Sequence, residues 1–441
     1  MGFEFYEERD FKDTELGPLP VDWEVVRLGE VFTEVNSDSR KIFIDKKSSY
    51  KLIMTKLYAK GIQLKCIIEG SKIASNVMFL IKKDDFIFSK INIRKGAFDF
   101  VPEELDGAVV SSEHPILNLD FSKADKSYIK FYLSQPHTWE AFKKEAKGFS
   151  GKERVKVREF LNITIPLPPL EEQKAIAEVL RSVQLAIEKT EEVIRATKEL
   201  KKSMMKHLFT YGYVPIDETD KVKLKETEIG LIPEHWKVVR LGEVAKFYRG
   251  LSWKKEDETN GRDGKLIISI PNIEDGRIDF NSKYNRYIRK AIPETKRLYV
   301  GDILFVGSSG SVKNIGRNVL VDYLPLEEVG FASFTFKATI KEGRIDNRFF
   351  YYLANSTWFR YGDFSKRASD GKYNFQLREF VDKTFIPLPP LEEQKAIAEV
   401  LRAIDEKLQK EEEYKKALQN LFKSLLHHLM SGKIRVRKTQ D

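Results

Sequence analysis

The sequence predicts an α+β protein made of two similar mixed α/β domains and two long helices that pair antiparallel. Three observations support this fold class. VVRLGEV stands at 25–31 and again at 238–244, and IPLPPLEEQKAIAEVLR stands at 165–181 and again at 386–402. Between these landmarks each copy mixes short β-rich runs with one or two helical stretches. Each copy of the IPLPPLEEQKAIAEVLR block marks the start of about forty residues with helical periodicity.

Length and composition favour a globular protein with a polyanionic partner. The chain has 441 residues, of which 41% are hydrophobic and 12% aromatic, and its net charge is +9. A disordered chain would be poorer in aromatic residues, and a basic balance favours nucleic acid. The single cysteine, Cys66, excludes an internal disulfide and fits a reducing cytoplasm. No signal peptide and no membrane-spanning run is visible, so we expect a cytoplasmic protein without a membrane partner.

The repeat covers nearly the whole chain. The first pair of landmarks is separated by 213 positions and the second pair by 221, so the second copy carries eight more residues between its landmarks. The segments between the landmarks diverge in sequence, although DDFIFSK at 84–90 still corresponds to GDILFVG at 301–307. The sequence therefore predicts two copies of one unit with different inserts.

A long helix is predicted after each insert, because prolines precede it and acidic residues occupy its first turn. A seam with alternating spacings of four and three residues follows, which is typical of a coiled coil. Its members in the first helix are Ile176, Leu180, Val183, Ile187, Thr190, Ile194, Thr197, Lys201, Met204 and Leu208. We expect the two helices to pair with pseudo-twofold symmetry and to act as a spacer of roughly 60 Å.

These features predict seven segments. They are an N-terminal segment (1–20), a first insert (21–168), a first long helix (169–209), a linker (210–228), a second insert (229–389), a second long helix (390–430) and a basic C-terminal tail (431–441).

The identical block suggests a docking surface that binds the same partner twice. A helix entry alone tolerates exchange among polar residues at exposed positions, and recent duplication is the rival explanation. The candidate docking residues are Glu171, Glu172, Gln173, Lys174, Glu178 and Arg181 in the first copy, and Glu392, Glu393, Gln394, Lys395, Glu399 and Arg402 in the second.

Catalytic signatures are missing from the sequence. It contains no HExxH motif, no nucleotide-binding P-loop and no [DN]PP[YF] motif, and its six histidines show no metal-ligand spacing. We therefore predict that the chain is not an enzyme, has no catalytic residue and no metal site, and needs partners for chemistry.

With its doubled PLPPLEEQ-type helix start and two divergent inserts, the chain resembles the specificity (S) subunits of type I restriction-modification enzymes. The resemblance implies that each insert is a target-recognition domain for one half of a bipartite double-stranded DNA sequence. It also implies that the helices fix the spacing and dock two methyltransferase subunits, to which restriction (translocase) subunits add. S-adenosylmethionine, Mg²⁺ and ATP would then belong to partner subunits.

Basic and amide-bearing loops of the inserts are the candidates for DNA contact, because Arg and Lys bind phosphate or guanine and Asn or Gln binds adenine. A solvated charged face is the alternative for the basic patch at 143–158, and a simple turn is the alternative for the loop that follows the DDFIFSK-type strand. The candidates in the first insert are Lys90, Asn92, Arg94, Lys95, Lys143, Lys144, Lys147, Lys152, Arg154 and Lys156. Those in the second insert are Ser308, Ser309, Ser311, Lys313, Arg317, Lys366, Arg367, Lys372, Tyr373 and Asn374.

Two other classes of function remain open at this point. One is a stand-alone enzyme that modifies DNA, which methyl transfer or nuclease activity of the single chain would favour. The other is a coiled-coil adaptor whose inserts bind proteins, which failure to bind any DNA with the partner present would favour.

Overall fold

A computed structural model of the chain describes residues 2–148, 153–260, 263–274 and 276–439. The chain divides into two units, Met1–Glu191 with Tyr414–Asp441 and Glu192–Glu413. The predicted α+β class is confirmed, since each unit combines sheets with helices. The division cuts both long helices, so each unit holds part of each helix. The seven predicted segment bounds remain predictions.

The first half of the chain, up to the end of its long helix, contains both strands and helices, as expected for a mixed α/β domain. The strands are β1 (Phe3–Glu7), β2 (Phe11–Thr14), β3 (Gly17–Pro20), β4 (Glu24–Arg27), β5 (Phe32–Glu34), β6 (Lys41–Phe43), β7 (Ser49–Thr55), β8 (Ile62–Glu69), β9 (Val77–Leu80), β10 (Phe86–Phe88), β11 (Phe98–Phe100), β12 (Val109–Val110), β13 (Ile116–Leu119) and β14 (Thr164–Leu167). The helices are α1 (Ser37–Arg40), α2 (Lys126–Leu133), α3 (Pro136–Glu145), α4 (Val157–Leu161) and α5 (Leu170–Tyr211).

The rest of the chain repeats this combination of strands and helices. The strands are β15 (Leu224–Thr227), β16 (Gly230–Pro233), β17 (Lys237–Arg240), β18 (Ala245–Arg249), β19 (Glu258–Thr259), β20 (Lys265–Ile268), β21 (Ile273–Glu274), β22 (Arg277–Ile278), β23 (Arg286–Ile288), β24 (Ile303–Val306), β25 (Ser308–Ser309), β26 (Asn318–Leu320), β27 (Val329–Phe331), β28 (Thr335–Ile340), β29 (Ser365–Arg367), β30 (Tyr373–Phe375), β31 (Phe385–Leu388) and β32 (Ile434–Lys438). The helices are α6 (Leu241–Val244), α7 (Asn347–Ala354), α8 (Leu377–Lys383) and α9 (Leu391–Met430).

The first unit contains two main sheets over an aromatic core. One has the order β11-β10-β13-β5, and the other has the order β6-β9-β12-β7-β8 with β7 and β12 parallel. Phe86, Phe88 and Phe160 are fully buried between strands and helices, and their rings pack 4.8 to 6.5 Å apart. Burial of these large rings supplies much of the hydrophobic stabilisation of this unit.

The second unit repeats this architecture. Its two main sheets have the orders β18-β28-β24-β26 and β19-β23-β20-β27, with β20 and β27 parallel. A short third sheet, β25-β30-β29, lies beside them. Phe305, Phe336 and Phe375 stack face to face in the core of this unit, with centroids 4.8 and 5.1 Å apart. The shared strand pairings show that the repeat seen in the sequence is also a structural repeat.

A two-stranded stem carries the chain into and out of each insert. β4 pairs antiparallel with β14 from Arg27↔Thr164 to Glu24↔Leu167, and β17 pairs in the same way with β31 from Arg240↔Phe385 to Lys237↔Leu388. Entry and exit are therefore neighbours in both copies.

Both long helices begin within a residue of the predicted start, after paired prolines. Within the second unit, Lys198 pairs with Glu412 at 2.9 Å and Lys201 with Asp405 at 2.6 Å. The partner number falls as the residue number rises, so the two helices run antiparallel in this unit. Among the described residues, no helix is long and apolar enough to cross a membrane.

Several polar residues in the coiled-coil seam form hydrogen bonds or ion pairs. Thr190 and Thr197 are buried, and their hydroxyls donate to the carbonyls of Ala186 and Val193 one turn earlier at 2.7 and 2.8 Å. Lys415 pairs with Glu191 at 2.9 Å within the first unit. The polar seam residues Thr190, Thr197, Lys201 and Lys415 thus each have a hydrogen bond or an ion pair.

The start of α5 is fastened to the first insert by a tryptophan, a glutamate and a glutamine. The Trp23 indole N–H donates to the Glu172 carboxylate at 3.1 Å. The Gln173 amide accepts from the backbone N–H of Asp125 and donates to the Pro168 carbonyl, both at 2.8 Å. Glu172 and Gln173 are 8% and 0% exposed. We call Trp23, Glu172 and Gln173 the first clamp.

The second clamp is formed by Trp236, Glu393 and Gln394 at the start of α9. Trp236 donates to Glu393 at 3.1 Å, and Gln394 bonds to the N–H of Asp346 and to the Pro389 carbonyl, both at 2.8 Å. The distances match those of the first clamp. Much of the identity between the two blocks therefore preserves internal hydrogen bonds.

The prediction that the polar residues of the repeated block form an exposed docking surface is wrong for the four clamp residues of the two blocks. Glu172, Gln173 and Gln394 are buried, and the Glu393 side chain is only 16% exposed. The physical reason is that each side chain satisfies a buried backbone or indole group of the preceding insert. A charged or amide side chain near a helix start is therefore expected to be exposed only when no buried backbone or indole group is available to bond with it.

The two clamps differ in what else holds the glutamate. In the first, Arg435 of β32 binds Glu172 through two bonds of 2.7 and 2.6 Å, and it also binds Asp22 and Glu8. β32 pairs antiparallel with β1, so the predicted C-terminal tail contributes a strand to the first unit. In the second clamp, the backbone N–H of Tyr213 and the imidazole of His235 bond to Glu393 instead.

Replacement of Trp236 by Phe is expected to lower the free energy of unfolding by about 1–3 kcal/mol, because the hydrogen bond from a buried indole to a half-buried carboxylate is lost. Chemical denaturation of the full chain measures this change. Trp358→Phe is the matched control, since the half-buried Trp358 makes no side-chain hydrogen bond to another described residue. Equal effects of the two substitutions would show that the clamp bond is not stabilising.

Candidate nucleic-acid and partner surfaces

In the second unit, the short β25-β30-β29 sheet joins two candidate loops that lie far apart in sequence. Ser308 and Ser309 of β25 pair with Asn374 and Tyr373 of β30. On the other side of β30, Lys366 and Arg367 of β29 pair with the same two residues. Hydroxyl, amide and basic side chains of the predicted DNA-binding sets therefore share one small sheet. We call β25, β30 and β29 the polar sheet.

The amide of Asn374 has a fixed orientation on the polar sheet. Ser308 is 5% exposed, and its hydroxyl donates to the Asn374 Oδ1 at 2.8 Å. Asn374 itself is exposed, and its Nδ2 donates to no other described residue. The side chain is thus held as an outward-facing hydrogen-bond donor.

The other candidates of the second unit are distributed around the polar sheet. Lys366 lies 3.7 Å from Glu379, and Lys372 lies 3.7 Å from Asp370. The guanidinium of Arg317 donates to the Ile273 carbonyl at 2.6 Å, although the residue as a whole is exposed. Ser311, Lys313 and Arg367 are exposed and their side chains have no partner among the described residues.

The first unit brings its candidate loops together in the same way. Lys147 and Arg154 form a β-bridge, and the backbone N–H of Val155 donates to the Lys90 carbonyl at 2.9 Å. In the second unit, the N–H of Phe375 donates to the Gly307 carbonyl, also at 2.9 Å. The backbone framework of the two candidate surfaces is therefore equivalent.

Several basic candidates of the first unit are already engaged. Arg94 pairs with Glu153, Arg154 with Glu113 at 3.1 Å, and Lys147 with Glu159 at 3.8 Å. The Lys90 ammonium donates to the Ser112 carbonyl at 2.7 Å, and Lys143 pairs with Glu140. Lys95, Lys144 and Lys156 are exposed without a side-chain partner among the described residues, and Asn92 is half-buried. Lys152 lies outside the described residues.

The equivalent positions carry different chemistry in the two units. The carbonyl of Glu113 accepts from the N–H of Lys90, and the carbonyl of Phe334 accepts from the N–H of Gly307, which makes Glu113 and Phe334 equivalent. Glu113 forms an ion pair, whereas Phe334 is 57% exposed with the Lys372 ammonium 6.0 Å from its ring centroid. The same framework thus presents different groups to a ligand.

Two features of these surfaces escaped sequence reasoning. One is the exposed ring of Phe334, and the other is the hairpin formed by β7 and β8, with Tyr58 at its tip. The apolar and β-branched runs in SYKLIMT and IQLKCIIE, separated by a short segment with Gly61, indicate this hairpin.

The exposed part of each repeated block forms one helix face. Glu171, Lys174, Glu178 and Arg181 are exposed in the first copy, with the spacings of three and four residues that share a face. Glu392, Lys395 and Glu399 are exposed in the second copy, and the Arg402 side chain is 36% exposed. We call these eight residues the outer faces of the blocks.

Ion pairs along the outer faces fix their charge states. Lys174 bonds to Glu171 at 2.7 Å and lowers the pKa of that carboxyl, while Glu392 raises the pKa of Lys395. Arg402 lowers the pKa of Glu399. Each of these shifts favours the charged form of its side chain. Among the described residues no three potential metal ligands come together.

Known proteins resemble this chain over nearly its whole length. A family model described as the type I restriction modification DNA specificity domain matches residues 20–196 and 233–420. The MjaVIII specificity subunit of a type I restriction enzyme from Methanocaldococcus jannaschii is 29% identical over 449 residues, with 98% of each chain covered. The putative MjaX specificity subunit of the same organism is 28% identical, with 98% of this chain and 99% of the relative covered. The S subunit of a type I restriction-modification system from M. genitalium has a similar fold, with a TM-score of 0.55, 16% identity and coverage of 92% and 96%.

Proposed function

The chain belongs to the type I restriction-modification DNA specificity family, and from this premise we propose that each of its inserts reads one half of a bipartite double-stranded DNA target. The observation that carries the proposal is the equivalence of the two candidate surfaces. Their backbone hydrogen bonds match, but the side chains differ. Glu113 and Arg154 in the first unit are equivalent in position to Phe334 and Asn374 in the second unit. Different groups on one framework suit the reading of two different half-sites.

Exchange of one insert tests this proposal. Residues 21–165 are replaced by the corresponding insert of another family member, and the methylated sites made by the assembled complex are mapped by sequencing. We expect one half of the target to change and the other half to persist. Exchange of the second insert between its stem strands is the reciprocal control. A change in both halves after either exchange would contradict separate reading.

Asn374→Ala is expected to weaken binding to the mapped target by about 1–3 kcal/mol and to relax specificity at one base pair, because the outward amide donor is lost. Fluorescence anisotropy with duplexes substituted at each position measures both effects. Asn281→Ala is the matched control, since Asn281 is an exposed asparagine of the same unit away from the polar sheet. If the two variants bind every duplex alike, Asn374 does not read a base.

We propose further that chemistry resides on partner chains, with two methyltransferase subunits docked on the outer faces and restriction (translocase) subunits added to them. S-adenosylmethionine, Mg²⁺ and ATP would be bound by those partners. The proposal is supported by the lack of catalytic motifs in the sequence and by membership in a family of DNA specificity domains. Methyl transfer from S-adenosylmethionine by the purified single chain would refute it, as would the absence of DNA binding by the assembled complex.

The long helices are proposed to set the spacing between the half-sites. Insertion of four residues after Arg181 adds about 6 Å of helix and nearly preserves the helical phase. We expect the preferred spacer to lengthen by one or two base pairs, at about 3.4 Å each, while both half-site sequences persist. Mapping of methylated sites measures the spacer. Four residues inserted at the exposed turn after Gly343 are the control, and an unchanged spacer in the Arg181 insertion would show that the helix does not set it.

A further inference from the structure

The tip of the β7–β8 hairpin holds a tyrosine in a strained backbone conformation. Tyr58 and Ala59, which lie between the two strands, have φ angles of 61° and 53°. Residues other than glycine rarely adopt such left-handed angles, because the side chain then comes too close to the backbone. Strain of this kind persists only where surrounding contacts impose it, and it concentrates at binding sites.

Two neighbouring elements of the same unit impose this conformation. The backbone N–H groups of Tyr58 and Ala59 donate to the carbonyls of Lys95 and Gly96 at 2.7 and 2.8 Å. The Tyr58 ring lies 6.1 Å from the ring of Trp139 on α3, centroid to centroid. A side chain at Gly96 would collide with Trp139, so the three elements meet closely. The hairpin tip is thus braced against the loop that carries the DNA candidates Asn92 and Lys95.

The braced tyrosine faces solvent. Tyr58 is 61% exposed, and its hydroxyl has no partner among the described residues. The Gln63 amide on the adjoining strand is exposed and equally without a partner among them. A side chain held in a strained conformation without being buried adds little to the core. The arrangement is better suited to an external ligand.

The tip segment itself is positively charged, and the Asp99 carboxylate beside Gly61 is paired with Lys130 at 2.7 Å. Residues 54–63 contain Lys56 and Lys60 and no acidic residue. Lys60 and Lys95 are exposed, and their ammonium groups have no partner among the described residues. Lysines bind phosphate groups, whereas an aromatic ring and an amide can contact bases. This combination of side chains therefore suits a nucleic acid.

The second unit lacks this hairpin within its described residues. β7 and β20 are equivalent, because each is the parallel neighbour of an equivalent strand, β12 or β27. β7 continues into the hairpin with β8, whereas β20 is followed by a helical turn at Ile270–Asn272 and the short strands β21 and β22. Any contact made by the hairpin would therefore concern one half-site only.

We propose that the β7–β8 tip is a base-reading element of the first recognition domain, with Tyr58 and Gln63 facing base edges and Lys60 and Lys95 binding phosphates. The inference rests on the proposed function, because it needs the first insert to face DNA. A two-stranded ribbon fits the major groove, which is about 12 Å wide. There a ring contacts the thymine methyl group, and a glutamine amide bonds to adenine. β8 is the edge strand of its sheet, so no other strand covers the outer side of the ribbon.

Tyr58→Asn tests the proposal, because asparagine tolerates left-handed angles and removes only the ring. The full chain, assembled with its methyltransferase subunits, is titrated against the duplex target found by methylation mapping and against duplexes substituted in either half-site. We expect an affinity at least tenfold lower for the target, relaxed specificity in the first half-site alone, and an unchanged melting temperature. Phe121→Ala, which removes another exposed ring of the same unit, is expected to leave affinity unchanged.

The outcomes separate this inference from the proposed function. Failure of the unaltered complex to select any DNA sequence would overturn the proposed function and the inference with it. If the unaltered complex selects its target and Tyr58→Asn selects it with the same affinity, only the inference fails. A lower melting temperature with unchanged affinity would assign the ring a structural role and would also overturn the inference. Lys60→Ala should weaken binding to all duplexes without changing specificity.

Discussion

Arg435→Leu is expected to lower the free energy of unfolding of the first unit by about 3–5 kcal/mol, because it leaves the buried Glu172 carboxylate without its cation. Arg435 is 7% exposed and Glu172 is 8% exposed, and two charge-assisted bonds of 2.7 and 2.6 Å join them. After the substitution the Trp23 indole is the one remaining partner of that carboxylate among the described residues. For a unit of this size the melting temperature should fall by about 6–20 °C.

A second arginine of the same strand provides the control for this prediction. Arg437 pairs with Glu4 at 2.8 Å, but its side chain is 66% exposed. Arg437→Leu should therefore cost less than about 1 kcal/mol. The double variant Arg435→Leu with Glu172→Gln should be less destabilised than Arg435→Leu alone, since the buried charge at position 172 is removed while an acceptor for the Trp23 indole is kept. A double variant that is less stable than Arg435→Leu would contradict the buried-charge explanation.

The same network predicts how stability depends on pH. Hydrogen bonds from the backbone N–H of Asp10 and from Arg435 hold the pKa of Glu8 below its ordinary value of 4.5. Stability from this carboxylate is therefore fully present above pH 4.5 and is lost as the pH falls through the lower pKa of the folded state. Arg435→Leu should flatten this part of the pH profile.

Charge reversal on the outer faces is expected to remove the methyltransferase partners one at a time. Glu171→Lys with Glu178→Lys should eliminate one partner copy, and the further changes Glu392→Lys and Glu399→Lys should eliminate both. Each charge pair broken at an interface costs about 2–5 kcal/mol, which lowers affinity at least about thirtyfold. The mass of the complex, measured by light scattering, counts the bound copies.

Substitutions on the outer faces avoid the clamp residues, whose loss would unfold the helix starts. Glu192→Lys with Glu199→Lys is the matched control, because both residues are exposed on α5 outside the repeated block and have no ion-pair partner among the described residues. Circular dichroism establishes that each variant is folded. A complex that keeps two partners after all four reversals would show that the outer faces do not dock them.

The sequence predicted the features whose causes lie close together in the chain. The seam of α5 and α9 is visible because helical spacing repeats every few residues, and the helix starts are visible because prolines and acidic residues adjoin them. The internal repeat can be recognised from the sequence because two segments are identical. These elements therefore appear at nearly the predicted positions.

Features that depend on distant partners were not predictable from spacing. The burial of Glu172 depends on Trp23, 149 positions away, and on Arg435, 263 positions away. The orientation of Asn374 depends on Ser308, 66 positions away. A polar side chain is compatible with either solvent or a buried partner, and only the tertiary contacts decide between them.

The paired stems have a consequence for the conformational entropy of the chain. β4–β14 and β17–β31 each close a loop around one insert, and the second loop is eight residues longer between Arg240 and Phe385 than the first between Arg27 and Thr164. The entropy of loop closure varies with the logarithm of loop length, and a doubling costs only about 0.6 kcal/mol. Eight residues in a loop of this size cost less than about 0.1 kcal/mol. Inserts of quite different lengths can therefore be exchanged at the stems with almost no entropic penalty for closing the loop.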